Sequence, residues 1–70
     1  MTPHQIINRY SRRDCTDDDT FRELGVDAID RQCIAVDVEE AYGIELTDAQ
    51  IEAWHSVADV CATVGEMANG

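Results

Sequence analysis

Leu24-Gly25-Val26-Asp27-Ala28-Ile29-Asp30 contains a helix stop and a helix start within one short stretch, and the rest of the chain can be read outward from it. Leu24 ends the run Phe21-Arg22-Glu23-Leu24, whose apolar residues three apart suit a single helical turn. Gly25 is the residue type that ends a helix in the left-handed conformation. Asp27 offers a side-chain acceptor to the free N–H groups of a new helix, and Asp30 stands where a capping-box acid belongs. Beyond it Ile34, Val38 and Tyr42 recur every four residues with Ala35 and Ala41 beside them, the stripe of a helix packed on a core. Gly43 is the expected stop.

Upstream, Thr2-Pro3-His4-Gln5 combines an N-cap, a first-turn proline and a glutamine able to close a capping box. A first helix of about three turns is expected, with Ile6, Ile7 and Tyr10 on one face. Arg9, Arg12 and Arg13 lie on the other side, toward the end where positive charge suits the helix dipole. Asp14-Cys15-Thr16-Asp17-Asp18-Asp19-Thr20 is rich in side chains that bond their own backbone and reads as a loop. It fails the calcium-loop template, because neither a start at Asp14 nor one at Asp17 puts oxygen ligands, glycine and glutamate in register. Downstream, Thr47-Asp48-Ala49-Gln50 and Ser56-Val57-Ala58-Asp59 are two more capping boxes. The first opens a short helix through Ile51 and Trp54. The second opens a longer one through Val57, Val60, Cys61, Val64 and Met67, closed by Asn69-Gly70.

The expectation is one all-α domain over residues 1–70, a four-helix bundle of three longer helices and one short helix with a long first loop. Fifteen acidic against five basic residues give a formal charge of −10, which disfavours nucleic acid and favours basic protein partners. No apolar run approaches the roughly 20 residues that span a bilayer, and the N-terminus lacks the order of a secretory signal. A cytoplasmic setting is expected. Cys15, Cys33 and Cys61 are odd in number and share no metal-ligand or disulfide spacing, so reduced thiols and no metal site are expected. Neither His4 nor His55 belongs to a recognisable catalytic or metal constellation in the linear sequence.

The opening stretch resembles the L-G-x-D-S-L-D signature of acyl carrier proteins, with isoleucine for leucine and alanine for serine. Val38-Glu39-Glu40-Ala41-Tyr42-Gly43-Ile44-Glu45-Leu46 resembles that family's L-E-E-x-F-G-I-E-I, and Ser56-Val57-Ala58-Asp59-Val60 its T-V-G-D-L. The three segments keep the family's spacing without gaps from Leu24 to about Val64. The resemblance implies an acyl-carrier-protein-like bundle and a carrier that performs no catalysis itself. In such carriers a transferase joins 4'-phosphopantetheine to the serine hydroxyl. Ala28 has a methyl group there, so no cofactor is expected in this form and 4'-phosphopantetheine is expected if position 28 were serine. Thr20 and Ser56 are no substitutes, because neither opens the second helix.

The resemblance also implies a set of functional residues. Ala28, Asp27 and Ile29 mark the cofactor position. Asp27, Asp30, Arg31, Glu39 and Glu40 form the docking face for a phosphopantetheinyl transferase and for acyl-processing enzymes with basic patches. Phe21, Ile34, Val38, Tyr42, Leu46, Ile51, Trp54, Val57, Val60 and Val64 are expected to line an apolar acyl pocket, with Trp54 shortening it and needing a partner for its indole N–H. Arg31, Gln32 and Cys33 depart from the pattern of fatty-acid carriers, which implies a specialised polyketide-like, modified-lipid or aminoacyl pathway. A stand-alone monomer is expected. Two origins of Ala28 are open: deliberate replacement of a serine, favoured by the intact flanking residues, or a natural carrier-like protein that acts only as a binding or regulatory module.

Overall fold

The computed structural model describes residues 1–69, with side chains through Met67, so Gly70 of the expected closing signal lies outside the described residues. Five helical segments follow one another: α1 (Pro3–Asn8), α2 (Phe21–Leu24), α3 (Ala28–Tyr42), α4 (Asp48–Glu52) and α5 (Val57–Asn69). The all-α expectation is borne out. α1 packs against α3 and α5, and α3 against α4 and α5. Ile6, Ile7, Leu24, Ile34, Val38, Trp54, Val57 and Val60 are fully enclosed at the centre. No helix among the described residues is long and apolar enough to cross a membrane.

The helix starts are those the capping residues dictate. Thr2 Oγ1 accepts the Gln5 N–H while Gln5 Oε1 accepts the Thr2 N–H, and Thr47 with Gln50 repeats the exchange. Ser56 and Asp59 do the same at the head of α5, where Asp59 also accepts the His55 N–H. Gly25 and Gly43 adopt φ of 73° and 64°, the left-handed region where a Cβ is strained, and so end α2 and α3.

The first helix departs from expectation. α1 has six residues instead of about three turns: the N–H groups of Arg9, Tyr10 and Ser11 still return to the Ile6 and Ile7 carbonyls, and from Arg12 the backbone turns to a tertiary partner. Arg12 N–H donates to the Leu24 carbonyl at 3.0 Å, and the Arg12 guanidinium donates to the Glu23 carbonyl at 2.7 Å. Arg13 turns to Asp19. Arg12 therefore ties the long loop to α2, Arg13 closes the loop on itself, and neither serves the dipole of α1. Tyr10 Oη donates to Asp37 at 2.6 Å, which, with burial, pushes the phenol up to about 12. Ala41, placed on the inward stripe by periodicity, is exposed.

Asp19 is the buried polar residue of the loop. Its carboxylate accepts both terminal nitrogens of Arg13 at 2.9 and 2.8 Å, the Thr16 N–H at 2.8 Å and the Thr16 hydroxyl at 3.2 Å. The Asp19 carbonyl accepts the Val57 N–H, and the His55 carbonyl accepts the Phe21 N–H at 2.9 Å. The loop is thus stitched to the α4–α5 connection, where Thr20 and Ser56 form an isolated antiparallel bridge. That stitching brings α2 and Trp54 to the mouth of α3.

Candidate functional site

Position 28 sits where a helix begins. Asp27 is extended (φ −95°, ψ −173°) and Ala28 is the first residue of α3, exposed to solvent. Asp27 Oδ1 accepts the Asp30 N–H at 2.8 Å, and Asp30 Oδ2 accepts the Asp27 N–H at 3.4 Å. Both acids are occupied in fixing the helix start, so the Ala28 methyl is held in one place at the positive end of a 15-residue helix. Ile29 is 74% exposed, which puts a large apolar side chain in water directly beside position 28.

A hollow of about 490 Å³ opens next to Ala28, with Phe21, Val26 and Trp54 as its apolar lining and Thr20, Arg22, Asp27, Arg31 and His55 as its polar lining. Arg31 Nη1 donates to the Trp54 carbonyl at 3.3 Å, whereas its buried Nε has no partner among the described residues. Arg9 and Arg13 pair with Asp37 and Asp19. Arg22 and Arg31 have no carboxylate partner among the described residues, and both line this hollow. Two of the chain's five arginines thus lie beside position 28, together with Asp27.

The residues expected to line an acyl pocket divide between a surface hollow and the core. Of the ten, Phe21 and Trp54 face the hollow beside Ala28. Ile34, Val38, Ile51, Val57, Val60 and Val64 are buried in the close-packed core, and Tyr42 and Leu46 are half-buried at its margin. Side chains from α1, α3, α4 and α5 meet there. Tyr42 Oη donates to the Met1 carbonyl at 2.6 Å, and Trp54 Nε1 finds its partner in Thr63 Oγ1 at 2.9 Å.

The expected docking acids also separate. Glu39 is half-buried and accepts the Leu46 N–H at 2.9 Å, so it braces the connection after α3. Glu40 is exposed and borders a second hollow with Met1, Arg9, Asp37 and Ala41. Sequence spacing gave no sign of either arrangement, since Leu46 lies past the end of α3 and Arg9 just past the end of α1. All three cysteines are free and half-buried. His4, Asp17 and Cys61, far apart in sequence and joined by no linear motif, converge in space.

Residues 5–64 match the family described as "Phosphopantetheine attachment site". The chain is also similar to a protein of Dictyostelium discoideum named "Acyl carrier protein, mitochondrial", with 38% identity over 57 residues that cover 77% of this chain and 48% of that protein. It spans about half the length of that curated relative. With a match running from α1 through most of α5, and a capped, solvent-facing helix start inside it, the chain belongs to the phosphopantetheine-attachment family, the family of acyl carrier proteins.

Proposed function

We propose that this chain is a carrier domain for thioester-bound acyl, aminoacyl or polyketide intermediates in a specialised pathway, in a form whose attachment position is held by Ala28. The observation that carries this is the exposed methyl at the first residue of α3, held by the Asp27–Asp30 capping box and flanked by Ile29. A phosphodiester needs an oxygen at that spot, and alanine has none, so the residues present do not fit covalent attachment of the family's group. The chain therefore acts as an unloaded carrier, and no catalytic step is assigned to it.

Its docking partners are a phosphopantetheinyl transferase and acyl-processing enzymes with basic patches, which the net charge of −10 attracts and orients. Nucleic acid is disfavoured by the same charge. Ile29 and Glu40 are exposed contacts on α3, and Arg31 with Arg22 adds a positive spot that a cognate partner must meet with an acid. A monomeric carrier in the cytoplasm completes the proposal; the Dictyostelium relative, by its name, belongs to mitochondria.

Competition tests it. The chain should inhibit the loading of a serine-bearing carrier by a phosphopantetheinyl transferase while its own mass stays constant. Inhibition should weaken several-fold in Glu40→Lys and fall as salt screens the encounter. A chain that never inhibits at low salt, with several transferases, contradicts the proposed docking role.

A further inference from the structure

We infer that His4, Asp17 and Cys61 form a binding site for one zinc-class transition-metal ion, independent of position 28 and of any carried group. The three residues come from separate elements: His4 from α1, Asp17 from the long loop and Cys61 from α5. One ligand atom of each lies within 4.8 Å of the others. His4 Nε2 already meets Asp17 Oδ1 at 2.5 Å. Among the described residues, no other polar side chain or backbone group bonds to these three side chains.

The donor set selects the class of ion. Calcium and magnesium take oxygen ligands, whereas imidazole nitrogen, thiolate sulfur and one carboxylate together suit zinc and its spectroscopic stand-in cobalt. Three protein ligands leave a fourth position for water. Ligand bonds of about 2.0–2.3 Å hold the donor atoms farther apart than a hydrogen bond does, so the His4–Asp17 contact must open to admit the ion. Asp17 can move, being exposed on a loop, while His4 and Cys61 are half-buried on helices. The acidic surface raises the local concentration of cations.

A cysteine nucleophile activated by histidine is the rival chemistry for the same three residues. Burial, with Asp17 nearby, pushes the Cys61 thiol up, the opposite of what an activated nucleophile requires. A divalent cation reverses that disadvantage by replacing the thiol proton, which leaves to solvent. Bound there, the ion joins α1, the long loop and α5 through their side chains, where the His4–Asp17 contact links only the first two.

The test uses the reduced, chelator-stripped protein and cobalt(II), followed by zinc(II). Cobalt should saturate at one ion per chain with thiolate-to-cobalt charge-transfer absorption in the near ultraviolet, and zinc should displace it. Free zinc at about 100 times Kd should raise the folded-to-unfolded ratio about 100-fold. Cys61→Ser should abolish the absorption, Cys33→Ser should leave it intact, and His4→Gln and Asp17→Asn should each weaken binding about 10-fold or more. The last two change a half-buried and an exposed side chain and keep the test decisive if Cys61→Ser folds poorly. Cobalt uptake without the thiolate absorption, or absorption that survives in Cys61→Ser, overturns the site and leaves only ions held by surface carboxylates.

Discussion

Replacing Trp54 by alanine should lower stability by about 3–5 kcal/mol, the range for deleting a buried tryptophan. Trp54 is the largest fully enclosed side chain, 1% exposed, and it sits in the core cluster with Ile34, Val38, Val57 and Val60. A 70-residue chain at roughly 0.05–0.15 kcal/mol per residue has a total margin of about 4–10 kcal/mol, so this loss removes much of it. The cost comes mainly from the void. Thr63 Oγ1, which accepts the indole N–H, also donates to the Asp59 carbonyl at 3.1 Å and stays partnered when the indole goes. Trp54→Phe should therefore cost less, about 1–2 kcal/mol, for one hydrogen bond and part of the ring. Urea unfolding of the two variants separates the terms, and equal losses would place the energy in the hydrogen bond instead.

Asp19→Asn should produce the other large loss, with a pH dependence that identifies its cause. The carboxylate takes four hydrogen bonds from Arg13 and Thr16, and an amide presents an NH2 group to donors that need an acceptor. Arg13 and the Thr16 N–H hold the Asp19 carboxyl well below the usual carboxylate range. A depressed folded pKa contributes stability above the unfolded value of about 3.9 and loses it as pH falls through the folded value. The thermal midpoint of Asp19→Asn should thus lie far below that of the parent at pH 7. The gap should narrow below about pH 4, where the unfolded parent takes up the proton. A gap that stays constant from neutral pH into acid would contradict the charge-based role. Because the Asp19 carbonyl also accepts the Val57 N–H, loosening this residue loosens the head of α5.

What could be read in the sequence was local. Thr2, Asp27, Thr47 and Ser56 each announce a helix within four residues, and Gly25 and Gly43 announce stops, because caps and left-handed turns depend on side chains that bond their own neighbourhood. The exposed start of α3 at Ala28 follows from the same grammar. The early end of α1 was not legible, since the Arg12 N–H is drawn away by a carbonyl twelve residues on, a tertiary contact that periodicity does not register. Asp19 looked like one more loop acid, and its burial depends on Arg13 folding back over it. The ten residues assigned to an acyl pocket were legible as inward-facing, and eight of them are buried, but periodicity does not tell whether their side chains leave space between them. The His4, Asp17 and Cys61 cluster joins three elements, and no linear motif connects them.

The central claim is that position 28 is an attachment position missing only its hydroxyl. Ala28→Ser should fold as the parent does, because serine is tolerated in a first helical turn and the side chain is exposed. Incubated with a phosphopantetheinyl transferase and coenzyme A, the variant should gain the mass of one phosphopantetheine, with fragment masses placing it on residue 28, while the parent gains nothing. An Ala28→Ser protein that is folded yet unchanged in mass with several transferases, or a parent that takes up the group elsewhere, would contradict it.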